Sequence, residues 1–374
     1  MNAFKFEVIH QSKKSRARVG KIHTPHGIIE TPNFVPVGTN ATLKAVDSNI
    51  LDDINLIFCN TYHLILQPGV DVIKQAGGLH TFMNRQRPII TDSGGFQVFS
   101  LIYGGVANEL KSKGTKKHDT GVLKISEEGV LFRSYRDGSK ILLTAESSIS
   151  AQKALGADII VSFDELPPYH MPANKLKHSL DRTHRWEKRS LDAHLQNRNN
   201  QALYAVIHGG LDLELRKKSC TFLSELPFDG YAIGGSLGKT REEMFELLRF
   251  VMPLVPGDKP NHLLGIGDLQ SIPECVPLGI DTMDSSHPTR AARHGLLFTK
   301  QGQKRAVLSG HATTFRPIED DCTCYTCQHY TLAYLCHLFK AHELTAFTLA
   351  TIHNLHFMNN LMADYRRRIL NDEI

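Results

Sequence analysis

No stretch of this 374-residue chain approaches the roughly 18 consecutive apolar residues that a membrane-crossing helix needs. The opening MNAFKFEVIHQSKKSRAR lacks the apolar segment of a secretory signal, so no membrane partner and a cytoplasmic location are expected. A glycine-rich phosphate loop is missing as well, which leaves no cradle for a nucleoside triphosphate, and no organic cofactor is expected. Strong charge of one sign is also absent, the net formal charge being only +5. Binding to nucleic acid is therefore permitted but must rest on local clusters such as Lys13 to Arg18, Lys111 to Lys117, Arg290 to Arg293 and Arg366 to Arg368. Strand ends show no cluster of His and carboxylate ligands, which disfavours a zinc hydrolase.

Cysteine is sparse, seven in all, and its placement is uneven. Cys59, Cys220, Cys275 and Cys336 are scattered in apolar contexts and read as core thiols. Cys322, Cys324 and Cys327 stand two and three residues apart, close enough to turn around one cation, and His353 can complete a tetrahedron. One structural Zn2+ per chain is expected there. Three thiolates and an imidazole fill the coordination sphere, so the reaction chemistry must lie elsewhere.

From about residue 45 onward, short apolar runs ending in Gly or a polar residue alternate with amphipathic segments, the rhythm of parallel strands and crossover helices. Strands are expected at 56–60, 88–93, 158–165, 203–209, 231–235, 263–267 and 280–285, and helices at 146–155, 179–195 and 240–252. That count suggests an α/β fold of the (β/α)8 barrel type. Residues 4–35 read as a β-hairpin turning at Pro25, His26 and Gly27, lying across the mouth or the floor of the barrel. The expected division is a catalytic barrel with its hairpin over 1–300 and a zinc-binding subdomain with closing helices over 301–374.

Barrels of this kind carry their active sites at the C-terminal ends of the strands. The candidates there are Asp92, Asp164, His208, Gly235, Gly267 and Asp284. An aspartate at a strand end can simply cap the next helix, but three of them, flanked by Gly and aromatic residues, exceed what capping requires. In Thr91-Asp92-Ser93-Gly94-Gly95-Phe96-Gln97 the paired glycines let backbone approach a flat ligand, while Phe96 offers a stacking face beside a carboxylate. In the stretch from Asp284 to Arg293 a strand-end carboxylate is followed by Arg290 and Arg293, cations suited to phosphates or base edges.

TDSGGFQ at 91–97, FDE at 163–165, YAIGG at 231–235, GID at 279–281, the Asp284 to Arg293 stretch and the zinc ligands together resemble the queuine tRNA-ribosyltransferase (tRNA-guanine transglycosylase) family. TPNFVPVGTNATLKA at 31–45 and NTYHLILQPG at 60–69 extend that resemblance over nearly the whole chain. It implies a barrel with a zinc subdomain that exchanges guanine at the tRNA wobble position for a 7-deazaguanine, preQ1 or queuine. It further implies that Asp284 is the nucleophile and that Asp92 serves as general acid and then as general base, its pKa raised by burial. Ser93, Gly94, Gly95, Phe96, Asp164, His208, Gly235, Ser236 and Leu264 would contact the base. Asp164 would accept from the guanine edge, and the side chain at 208 with the Gly235 N–H would donate to its carbonyl. Gly265, Ile266, Gly267, Asp268, Leu269, Gln270 and Ser271, with Thr289, Arg290, Ala291, Ala292 and Arg293, match segments that contact the anticodon loop. A homodimer is implied too, with Tyr325 and Tyr330 as candidate contacts.

Departures from the family pattern carry their own expectations. His208 stands where the family usually has Gln, so base binding can acquire a titration that Gln lacks. Gly238 and Thr240 replace a bulkier residue and a glutamate that would pair with the aminomethyl group of preQ1, which favours queuine. Asp268 replaces a common lysine, and residues 102–122 form an insertion rich in Gly and Lys, read as a loop. The competing reading, a non-catalytic tRNA-binding subunit, is disfavoured because both Asp92 and Asp284 are present.

Overall fold

The computed structural model describes residues 4–47, 54–103 and 121–374, so most of the 102–122 insertion lies outside the described residues. The chain begins with a three-stranded antiparallel sheet, β1 (Lys5–Gln11), β2 (Arg18–Thr24) and β3 (Gly27–Thr31). Thr24 pairs with Gly27, so Pro25 and His26 make the tight turn anticipated from the sequence. The single hairpin expected over residues 4–35 is corrected in two ways. A second hairpin precedes the first, and the segment ends in a barrel strand, β4 (Asn33–Pro36). Four residues closed by a proline carry too little pattern to announce a strand.

Seven further parallel strands follow: β5 (Ile57–Cys59), β6 (Ile89–Thr91), then β10 (Ile159–Val161), β11 (Ala202–Ile207), β12 (Gly230–Ile233), β13 (Asn261–Leu263) and β14 (Thr282–Ser285). Between β6 and β10 a separate antiparallel sheet intervenes, β7 (Val122–Ile125), β8 (Gly129–Arg133) and β9 (Lys140–Thr144), where no strands were anticipated. The eight-stranded order runs β4-β14-β13-β12-β11-β10-β6-β5, and a parallel bridge from Val37 to Phe58 joins its two ends into a barrel.

Strands buried on both faces explain why they read as unbroken apolar runs rather than alternating ones. Along β11, Ala202, Tyr204 and Val206 join Val35, Phe58, Ile90 and Val161 inside the barrel. The intervening Leu203, Ala205 and Ile207 belong to the layer between barrel and helices. Ile22 and Ile29, from β2 and β3, insert into the interior cluster and plug one end of it.

That end is the floor, because the residues anchoring the N-terminal sheet stand just ahead of barrel strands. Arg18 donates through Nε and Nη2 to the two oxygens of buried Asp281 at 2.8 and 2.6 Å. Loss of either member of such a buried pair costs about 3–5 kcal/mol. Asp158, ahead of β10, accepts from the Ile89 N–H at 2.9 Å and lies 2.7 Å from His26 Nδ1 and 3.2 Å from His80 Nε2. The two imidazoles stack at 3.5 Å with 13° between planes, and the trio, whose ligand atoms lie close enough together to hold a metal ion, ties the sheet to the floor. With the floor closed, the mouth is the C-terminal end.

The expected helices appear as Ala145–Leu155, Ala173–Gln196 and Arg241–Val251. Thr144 and Ser147 form a reciprocal capping box on the first, and the Thr240 hydroxyl accepts from the Glu243 N–H to cap the third. At the C-terminus, the hairpin of β15 (Leu296–Thr299) and β16 (Gly302–Arg305) precedes helices Tyr325–His329, Leu332–Lys340 and Leu344–Leu370. The last packs on helix His287–Arg293, β15 and β4, so it joins the cysteine cluster to the barrel wall. Among the described residues no helix is long and apolar enough to cross a membrane.

Candidate active site and metal centre

Seven strand ends, those of β5, β6 and β10 to β14, deliver side chains to the mouth. Asp92, one residue past β6, is buried and wrapped by four donors. Its Oδ1 accepts from the backbone of Thr61 at 2.7 Å and Gly94 at 3.2 Å, and its Oδ2 from Asn60 Nδ2 and Gln97 Nε2, each at 2.7 Å. Burial pushes the Asp92 carboxyl above its ordinary range, although the Asn60, Gln97 and backbone donors pull the other way. The turn is built for this. Gly94 holds φ +82°, and a Cβ on Gly95 would stand 2.8 Å from the Asp164 carbonyl. Phe96 is 47% exposed at the rim, its ring without an aromatic partner among the described residues.

Beside it, Asp164 accepts from Ser93 Oγ at 3.0 Å and lies 2.6 Å from His208 Nε2. His208 Nδ1 is buried and has no partner among the described residues. A Cβ on Gly235, which sits at φ +77°, would stand 2.6 Å from that nitrogen. The arrangement departs from the expectation for His208. A neutral ring that gives its Nε2–H to the Asp164 carboxylate leaves Nδ1 as an acceptor, so it cannot also donate to a base carbonyl unless a second proton is taken up. Ser236 and Leu264 are half-buried at the neighbouring strand ends.

Arg216, with no signal in the sequence reading, organises this loop cluster. Fully buried, it donates to the carbonyls of Ile207 and Gly210 at 2.7 and 2.9 Å and to those of Gly234 and Ser236 at 2.9 and 3.0 Å. Asn60 and Gln97 were missed as well. Their spacing from Asp92 carries no local pattern.

Across the mouth, Asp284 lies in β14. Its Oδ1 accepts from the Gly265 N–H at 2.7 Å and lies 3.1 Å from His262 Nε2, while Oδ2 has no hydrogen-bond partner among the described residues. The segment Gly265 to Ser271 follows β13. In it Gly265 and Gln270 are exposed, Ile266, Asp268 and Leu269 are half-buried, and Gly267 and Ser271 are buried. Asp268 folds this turn by accepting from the Gln270 and Ser271 N–H groups at 3.1 and 3.2 Å, and it pairs with Arg241 at 3.2 Å. On helix His287–Arg293, Arg290 is exposed and Arg293 half-buried, whereas Thr289, Ala291 and Ala292 face inward. Only the two arginines of that stretch present side chains outward.

Cys322, Cys324, Cys327 and His353 converge into a group able to hold a metal ion. Their Sγ atoms lie 3.7, 3.6 and 3.4 Å from His353 Nδ1. A tetrahedral ion with bonds of about 2.3 Å to sulfur and 2.0 Å to nitrogen sets these edges near 3.5 Å, so the donor set fits a divalent metal of zinc's preferences. His353 Nε2 is 2.7 Å from the Phe298 carbonyl, and the adjacent Asn354 accepts from the Phe298 N–H at 2.9 Å. These contacts orient the ring and lock it to β15. Cys59, Cys220, Cys275 and Cys336 are buried free thiols, away from this group.

A closed barrel with carboxylates at its mouth and a four-residue group able to hold a metal ion are the marks of an α/β-barrel enzyme. A family model described as queuine tRNA-ribosyltransferase matches residues 12–374, and the chain belongs to that family. It is 68% identical over 376 residues to the queuine tRNA-ribosyltransferase of Protochlamydia amoebophila (strain UWE25), covering 100% of this chain and 97% of that protein. It is 54% identical over 373 residues to the protein of the same name from Chlamydia caviae, covering 100% of each.

Proposed function

We propose that the protein exchanges guanine at the wobble position of tRNA for a 7-deazaguanine base, queuine in preference to preQ1, through a covalent ribosyl-enzyme. The observation that carries this reading is the contrast between two mouth carboxylates, Asp92 enclosed by four donors and Asp284 with one oxygen that has no partner among the described residues.

Asp284 Oδ2 attacks C1′ of the wobble ribose, and the glycosidic bond breaks with its electron pair passing to guanine, which Asp92 protonates. The incoming base then gives its ring proton to Asp92 and attacks C1′, releasing the Asp284 carboxylate. Bond energy is conserved in the ester, so no triphosphate enters the cycle. Asp92 has about four acceptor positions, all engaged, so one donor must yield. Gln97 is that donor, being half-buried where Asn60 is buried. Asp164 accepts from the base edge, the Gly235 N–H donates to its carbonyl, and Phe96 with Leu264 covers its faces. His208, with Nε2 on Asp164, turns an Nδ1 that has no partner among the described residues toward the base site.

Arg290 and Arg293 bind the anticodon loop, with the Gly265 to Ser271 turn beside them. Residues 301–374 form a unit held by zinc, which when bound cross-links the three thiolates to the long C-terminal helix. Rings of Tyr325, Tyr330 and Tyr334, at 5.9 and 5.4 Å successive spacing on the surface, support a homodimer contact.

A guanine-displacement assay on wobble-guanine tRNA, comparing labelled guanine, preQ1 and queuine, tests the reading. Queuine should be the most efficient, and better incorporation of preQ1 would reverse the base assignment. The KM for base, measured between pH 5.5 and 8 for wild type and His208→Gln, should differ between the two, and no difference would count against a part for the imidazole in base binding.

A further inference from the structure

We infer that His262 is a positioning residue for the reaction, holding Asp284 Oδ1 so that Oδ2 is the oxygen presented for attack. The inference rests on the reading of Asp284 as nucleophile. His262 lies in β13, fully buried, with its ring stacked on Phe58 at 5.7 Å and 22°. Nδ1 is 2.8 Å from Thr282 Oγ1, and Nε2 is 3.1 Å from Asp284 Oδ1.

The proton assignment follows from what each partner can give. Thr282 has one hydroxyl proton, which goes either to the Asn261 carbonyl at 3.1 Å or to His262 Nδ1. In both cases an ionised Asp284 offers acceptors only, so Nε2 carries a hydrogen and donates it. Asp284 Oδ1 thus receives two donors, Nε2–H and the Gly265 N–H at 2.7 Å, and Oδ2 none among the described residues. Any smaller rotation of the carboxylate loses these donors, and a half-turn only exchanges two equivalent oxygens, so one oxygen is always held and the other presented.

The same two donors serve the return step. In the ribosyl ester Oδ2 is bonded to C1′ and Oδ1 is the carbonyl oxygen. When the new base attacks C1′, the C1′–Oδ2 bond breaks and its electron pair returns to the carboxylate, whose growing charge on Oδ1 meets donors already in place. No proton needs to leave His262. Removing it should therefore slow both half-reactions and leave tRNA binding intact.

Adduct formation in a single turnover, followed on a denaturing gel, is compared for wild type, His262→Phe, His262→Gln and Thr282→Val, with steady-state constants and thermal unfolding beside it. His262→Phe keeps a ring against Phe58 but loses the donor, and its adduct rate should fall about 100-fold, the scale of losing one preorganised donor. Its KM for tRNA should stay within about twofold, since no base or phosphate contact is touched. His262→Gln returns an N–H and should recover much of the rate, and Thr282→Val, which frees the far side of the ring, should show a smaller loss. An unchanged rate in both His262→Phe and Thr282→Val, or a His262→Gln as slow as His262→Phe, would overturn the inference. An adduct formed by Asp284→Asn would instead overturn the nucleophile assignment, and this inference with it.

Discussion

Replacing Arg216 by methionine removes a guanidinium that sits between the loops after β11 and β12 and donates to four carbonyls, those of Ile207, Gly210, Gly234 and Ser236. Among the described residues no carboxylate pairs with it. Burial lowers its pKa to about 10, against a weaker opposing pull from the Cys220 thiol, so it stays charged at neutral pH. Methionine fills much of the volume but leaves the carbonyls without donors. Each unsatisfied buried acceptor costs about 1–3 kcal/mol, and water entering the vacated space should recover part of that. The removal of one partner from a buried charged network, about 3–5 kcal/mol, is the more realistic scale. If the barrel unfolds as one unit, an unfolding entropy near 2.1 cal/mol/K per residue converts this into a fall in Tm of about 4–6 °C. Because Gly234 and Ser236 flank Gly235, the KM for base should rise as well, while the KM for tRNA should change little. Thermal unfolding and base-exchange kinetics at fixed pH would check both. A Tm within 1 °C of wild type with an unchanged base KM would refute the argument that this guanidinium shapes the loops.

Glu187 is wholly buried on helix Ala173–Gln196, its Oε1 accepting from Val206 N and Ser162 Oγ at 2.7 and 3.2 Å and its Oε2 unpartnered among the described residues. Burial, with nearby Asp164 adding to it, pushes its carboxyl well above the ordinary range. A raised folded pKa means that the folded state holds the proton longer than the unfolded one. Its stabilising contribution is present below the ordinary Glu range and fades as pH climbs through the folded value. Glu187→Gln keeps the accepting oxygen and abolishes the titration, so its Tm advantage over wild type should widen from pH 5.5 to 8.5, and a constant difference would contradict this. Chelation or Cys327→Ser should release one zinc per chain by elemental analysis and lower tRNA affinity and dimer content more than the adduct rate per bound tRNA. Arg290→Ala should weaken tRNA binding and reduce the slope of log K against log salt by about 1, read from a salt titration, if the guanidinium meets one phosphate.

The doubly buried strands and the Cys3His group able to hold a metal ion were open to a reading along the chain for a common reason. β11, apolar at all six positions, and the cysteines at spacings of two and three are local patterns, set within a few residues. Asp92, Asp164 and Asp284 stood out as polar residues ending such runs. By contrast β4 was lost inside the expected hairpin because four residues ending in proline have no period to detect, and β7 to β9 were not anticipated at all.

The identity of the strand-end carboxylates and of the Cys3His ligands was thus determined by sequence, through short-range pattern. Which donors hold each carboxylate, and that Asp284 alone of the three keeps an oxygen without a partner among the described residues, was decided only by the tertiary fold. His262 meets Asp284 across 22 residues, Asn60 meets Asp92 across 32, and His208 meets Asp164 across 44. Each is a contact between different barrel strands, made when closure of the sheet brings their C-terminal ends to one mouth. The inward turn of Thr289, Ala291 and Ala292 beside the outward Arg290 is of the same kind. A seven-residue helix shows which face is buried only once its neighbours, here β15 and the helix Leu344–Leu370, are in place.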